Sequence, residues 1–177
     1  MPIPIIQLIA RIIKILRSQG SPGQVAAGFA FGMCLGLIPW NTLHSFLIWI
    51  IVIILNVNFG AVLLAIGLFA PIAYIFDPFF HSFGYWILVD IEGLRGVWTS
   101  LYQTSLIPFT RFYNTVVMGS TVTSFILFLP VYFLAKWFVK NYREKIDPHI
   151  QKLPIIKAAK ASKLYQIYEK IKIWSET

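Results

Sequence analysis

The chain has 177 residues, 58% of them hydrophobic and only 12% charged, where soluble domains carry about 25% charged residues. The charges are also segregated: residues 18 to 76 and 112 to 135 contain no Asp, Glu, Lys or Arg, and of the 15 basic residues only Arg95 and Arg111 lie away from the two ends. A soluble surface needs charge throughout, and about 20 apolar residues cross a bilayer as a helix, so an ordinary soluble domain is excluded and the net charge of +8 marks a cytoplasmic membrane face, not a nucleic-acid footprint.

Taken in chain order, residues 3–16 predict an amphipathic helix lying in the headgroup boundary. Gln7, Arg11, Lys14 and Ser18 recur at spacings of three and four, and isoleucine and leucine cover the rest of the wheel. Arg11, Lys14 and Arg17 interrupt the apolar stretch, which does not fit a secretory signal, and they suit contact with anionic lipid headgroups.

Ser21-Pro22-Gly23-Gln24 reads as a capping box with proline in the first helical turn, and predicts a helix over 22–38. Pro39, Trp40 and Asn41 break it, and Asn41 is the candidate cap of a second helix over 42–55. At about 1.5 Å per residue these helices rise roughly 21–25 Å, against about 30 Å of hydrocarbon. They are either tilted short spans or a Gly-rich hairpin that re-enters without crossing, its tip at Pro39, Trp40 and Asn41; the hairpin is the reading adopted. Gly28, Gly32 and Gly36 stack on one helix face, where another backbone can approach closely in lipid. The partner of that packing face is not readable: the next helix, another core helix and a second protomer all fit.

After a turn at 56–58, Asn58 is placed to cap a helix over 59–75, and Asp77-Pro78 to start another over 78–89. Asp77 is the acidic residue within the apolar region, so it reads as a helix cap or as an ion or proton site, with His81 one turn on as its hydrogen-bonding neighbour. Residues 90–113 read as irregular or interfacial, with Asp90, Glu92 and Arg95 as a wet loop. Residues 114–140 form the one full transmembrane span, anchored by Arg111, Lys136, Trp137 and Lys140. Asp147-Pro148 repeats the start signal. Residues 154–174 are again amphipathic, with Lys157, Lys160, Lys163, Lys170 and Lys172 as headgroup contacts.

Ser21-Pro22, then Gly28, Gly32, Gly36 and Pro39, then Asn58 and Pro71, resemble the bacterial membrane proteins grouped as domain of unknown function two thousand and sixty-two. The resemblance covers about residues 18–90. It departs at Ala70, where the family shows Asn before the Pro, and in the turn, which lacks a second Pro and a Gly. It implies a membrane architecture and no activity.

The fold class is therefore an all-α integral membrane protein: an in-plane helix over 1–17, a membrane domain over 18–140 built from the glycine-rich hairpin, broken apolar helices and one full span, and a basic cytoplasmic tail over 141–177. His44, His81 and His149 share no metal-ligand spacing, Cys34 is alone, and no nucleotide-binding or nucleophile motif appears. Neither a metal nor a cofactor is expected, and no catalytic residue is assigned. The function read from this is a non-enzymatic subunit of the bacterial inner membrane, both termini cytoplasmic, that packs with or anchors another envelope protein or itself, with lipid handling as the process suggested by its short, broken helices. A small transporter or channel built on broken helices is the alternative, and a membrane enzyme comes third. The tail carries its own expectation: a peptide of residues 154–174 becomes helical on anionic vesicles and releases as salt rises. Binding that ignores salt, read by circular dichroism and co-sedimentation, would point to a protein surface instead.

Overall fold

The structure is a computed structural model that describes residues 12–148. Among them every regular element is helical: α1 (Pro22–Leu37), α2 (Leu43–Ile54), α3 (Phe59–Tyr85), α4 (Arg95–Tyr102) and α5 (Thr115–Asn141). A π turn at Trp86–Asp90 extends α3, and 3-10 turns at Glu92–Leu94 and Ile107–Thr110 flank α4. The runs Phe59–Asp90 and Thr115–Ile146, each 32 residues, are long and apolar enough to cross a membrane. By contrast α1 and α2, with 16 and 12 residues, rise only about 24 and 18 Å. The chain divides into two compact units, one ending at Val139 and one beginning at Lys140. The described part of the second holds the π turn Tyr142–Ile146 and an exposed Lys140–Glu144 ion pair at 3.9 Å, a pairing that contributes little at a wet surface.

The caps explain where the helices start. Ser21 Oγ accepts from the Gln24 amide while Gln24 Oε1 accepts from the Ser21 amide, so the box closes as the sequence predicts. Asn58 Oδ1 accepts from the Ala61 amide at 2.9 Å and starts α3. The same residue ties elements together: its Nδ2 donates to Ser18 Oγ at 2.9 Å and its amide to the Gln24 carbonyl at 3.1 Å. Thus the first turns of α1 and α3 are fixed side by side.

Four sequence expectations are corrected. Asp77-Pro78 does not start a helix: α3 runs unbroken through Pro71 and Pro78, so Asp77 lies inside it and caps nothing, and among the described residues two helices, not one, are long and apolar enough to cross a membrane. A proline forfeits one backbone hydrogen bond, whereas ending a helix exposes up to four carbonyls and starting another exposes four amides, which apolar surroundings cannot satisfy. The Ser82 hydroxyl donates to the Pro78 carbonyl at 3.0 Å and adds local support. Asn41 does not cap α2; the N-cap is Thr42. Residues 90–113 are not uniformly irregular, since α4 occupies their middle. Asp147 and Pro148 are already helical, in continuity with the π turn before them. The helices read over 3–16 and 154–174 fall mostly or wholly outside the described residues, as do Arg11, Lys157, Lys160, Lys163, Lys170, Lys172 and His149.

Packing is set by glycine. Helices α1 and α3 run parallel, and a Cβ added at Gly28 would stand 2.5 Å from the Asn58 carbonyl oxygen; at Gly36 it would stand 2.9 Å from Phe69 Cβ. One at Gly32 would collide with the Val62 carbonyl. Ala61 and Ala65 fill the facing positions and are fully buried, and Phe29 closes the seam edge-on against Phe69. A second close approach joins α3 to α5: a Cβ on Gly84 would meet the Thr115 carbonyl, and one on Gly119 the Phe80 carbonyl. Met33, Cys34, Ile48, Val52, Val62 and Phe80 complete the apolar core around these contacts.

A branched side chain at either crossing forces the backbones apart, and overpacking of this kind costs about 1–3 kcal/mol or more. Gly32→Ile and Gly84→Ile are each expected to lose the monodisperse peak of detergent-extracted protein or lower its melting temperature. Leu68→Ile, on the exposed face of α3, is expected to change neither. Wild-type melting of both glycine variants would show that the crossings tolerate separation.

Candidate functional site

The densest polar chemistry in the apolar unit lies where α1 gives way to α2. Ile38 and Thr42 are extended, which carries the chain out of one helix and into the next around Pro39, Trp40 and Asn41. Without further contacts the Pro39 carbonyl would be an orphan. The hydroxyls of Thr42 and Ser45 both reach it at 3.0 Å and stand 2.8 Å from each other. Both residues are buried. Two hydroxyl protons serve three short contacts here, so the cluster shares them around one acceptor.

His44 extends this cluster to α5. Its Nε2 stands 3.3 Å from Thr42 Oγ1 and 3.0 Å from Thr121 Oγ1, joining the turn to a helix 77 residues away in sequence. On that helix Ser124 Oγ donates to the Ser120 carbonyl at 2.6 Å and Ser120 Oγ to the Val117 carbonyl at 3.2 Å, both side chains fully buried. Cys34 Sγ lies 3.8 Å from the Ser124 carbonyl. Short side chains on this stretch of α5 let α1 and the turn come close. The Thr123 hydroxyl is buried there with no partner among the described residues.

Chemically the arrangement suits support better than turnover. Most of these hydroxyls are directed at backbone carbonyls, and among the described residues neither a carboxylate nor a cation touches His44. No group of three His, Cys, Asp or Glu side chains comes together among the described residues.

The other residues singled out in the sequence are distributed along the fold. Gly28, Gly32 and Gly36 line the contact with α3 and so face inward. Trp40 is 86% exposed and Asn41 is exposed, so the tip of the turn is open. Asp77 is half-buried within α3. His81 does not turn to Asp77; its Nδ1 stands 2.7 Å from Thr115 Oγ1, which ties α3 to the first turn of α5 beside the Gly84–Gly119 crossing. Lys14 and Arg17 are exposed. Sequence reasoning missed Thr42, Ser45, Thr121, Gly84 and Gly119. The first two had a signal, hydroxyl residues three and six positions beyond a helix-breaking proline, while the others depend on which helices meet.

Over residues 7–146 the chain matches a family described as uncharacterized protein conserved in bacteria (DUF2062). It is also similar to an uncharacterized protein of Treponema pallidum (strain Nichols), 30% identical over 145 residues that cover 82% of this chain and 89% of the relative. No solved structure matches.

The two hydroxyls at the turn generate a test. Either one alone can satisfy the Pro39 carbonyl, so Thr42→Val and Ser45→Ala should each cost about 1 kcal/mol. Together they leave a buried carbonyl without a partner, and the double variant should lose clearly more than the sum. Additive or silent effects in thermal melts would mean that the turn is held by other contacts.

Proposed function

The chain belongs to this family of uncharacterised bacterial proteins, and from that premise we infer that it is a non-enzymatic subunit of the inner membrane that packs with or anchors another envelope protein. It is a helical, membrane-associated protein with two long apolar helices. In our reading α3 and α5 cross the bilayer, while α1 and α2 enter it as a re-entrant hairpin from the cytoplasmic side. The short rise of those two helices supports this, as does the parallel course of α1 and α3 from adjacent starting turns. The concentration of basic residues at the ends supports a cytoplasmic location for both termini.

The observation that carries the reading is the two-sidedness of α2. One edge, Ser45, Ile48 and Val52, is buried against the protein. The other exposes Phe46, Leu47, Ile50, Ile51, Ile53 and Ile54, the last two at 73% each. The glycine face of α1 is occupied by α3, so α2 is the element of the hairpin left to meet a neighbour. Helix association in lipid rests on such close apolar packing.

The polar junction at His44 favours a second reading, a small transporter, because broken helices ending within a membrane often hold substrates. Its hydroxyls are directed mainly at carbonyls, which is why we place it second. Flux through proteoliposomes that collapses in His44→Ala while folding persists would reverse that order.

Two measurements test the first reading. Reporter fusions at residues 1 and 177 are expected to read cytoplasmic. A photo-crosslinking residue placed at Ile50 or Ile54 in native membranes should give one discrete heavier band, and the same residue at Leu68 should give none. A periplasmic terminus would overturn the topology, and equal labelling at all three positions would overturn the docking role of α2.

A further inference from the structure

At the far end of α3 from its Asn58 cap, the segment that joins α3 to α5 borders a shallow, open cleft of about 330 Å³. On the reading that α3 and α5 cross the bilayer, on which this inference rests, the segment joining them lies at the level where hydrocarbon gives way to headgroups. Four aromatic rings line it: Trp98 and Tyr102 from successive turns of α4, and Phe112 and Tyr113 from the approach to α5. Aromatic residues are common at membrane boundaries as separate anchors. These four instead converge on one space.

Two of these rings keep open surface, Tyr102 being 57% and Tyr113 53% exposed. Tyr102 and Tyr113 meet edge to face, with centroids 5.6 Å apart and planes at 84°; Phe112 and Tyr113 meet at 75°. Trp98 and Phe112 are tilted by 40° at 6.0 Å. None of the three pairs is stacked face to face, so each contact covers at most one face of a ring. Trp98 is held in place, its Nε1–H donating to the Ile87 carbonyl at 3.2 Å. Thr99 and Gln103 supply the polar part of the lining, and no lining residue is charged.

An open set of aromatic faces attracts a cation through the ring quadrupole. Among the described residues no cation lines the cleft. Arg95, the nearby basic residue on α4, donates from Nε and Nη2 to the Val89 carbonyl at 3.2 and 3.0 Å and does not line the cleft. Asp90 and Glu92, both exposed, add negative charge to the same segment. The volume is at the small end for a ligand pocket, enough for a headgroup and too little for a whole lipid. The geometry points to a binding site for the ammonium headgroup of a zwitterionic phospholipid, with the acyl chains remaining in the bilayer beside α3 and α5. This site is independent of the α2 docking face and would stand if that reading failed.

The full chain, extracted and stripped of lipid in mild detergent, is titrated with phosphatidylcholine, phosphatidylethanolamine or phosphatidylglycerol, and retained lipid is read by native mass spectrometry. Phosphatidylcholine and phosphatidylethanolamine should be retained about tenfold over phosphatidylglycerol. Tyr102→Leu with Phe112→Leu keeps the lining apolar and removes two ring faces; the preference should fall to near parity. Phe109→Leu, an exposed ring in the same segment that does not line the cleft, should leave it intact. Should the double variant fail to fold, Gln103→Lys tests the same point by placing a like charge in the lining, and should turn the preference toward phosphatidylglycerol. Equal retention of the three lipids by the wild type, or a wild-type preference for phosphatidylglycerol such as exposed Arg111 would produce by charge alone, overturns the proposal. So does an ammonium preference that survives Gln103→Lys.

Discussion

Where water is absent, each backbone amide or carbonyl left without a partner costs several kcal/mol, and side chains must do what solvent does elsewhere. Much of this fold follows from that constraint. It explains why α3 passes through two prolines instead of stopping at the first. It also explains why the place where the chain does stop, at Pro39, carries two buried hydroxyls on a single carbonyl. The caps at Ser21 and Asn58 serve the same need at the opposite ends of the helices.

Close backbone approach is the second theme. The Gly28–Gly32–Gly36 seam holds α1 against α3, and the Gly84–Gly119 crossing holds α3 against α5. Hydrogen bonds sit beside both: Asn58 to Ser18 and Gln24 at one, His81 to Thr115 at the other. Each bond helps to fix the register that the glycines make possible. Once α1 is engaged in this way, α2 remains attached by one edge, and its outward face becomes the distinctive apolar surface of the hairpin.

Both histidines described here act as ties between helices distant in sequence, His44 reaching Thr121 and His81 reaching Thr115. A histidine in an apolar helix invites a catalytic or metal-binding interpretation, yet these two meet hydroxyls. Away from both histidines, Trp98, Tyr102, Phe112 and Tyr113 line a cleft that no cation of the described residues lines.

What the sequence determined by itself is local or compositional. Charge-free runs require an apolar environment, and Ser21-Pro22-Gly23-Gln24 and Asn58 cap helices because their partners lie three residues away. The boundaries of α1, α2 and α5 followed from these signals to within about two residues. Only the tertiary structure decided what Gly28, Gly32 and Gly36 touch, because a residue without a side chain carries no information about its partner. Only it decided that Pro78 continues a helix and that Asp77 is not a cap, since a proline's effect depends on whether the surroundings can satisfy a broken end. The aromatic cleft was likewise invisible: Trp98, Tyr102, Phe112 and Tyr113 have no common periodicity, and they meet because α4 folds back between the ends of two long helices.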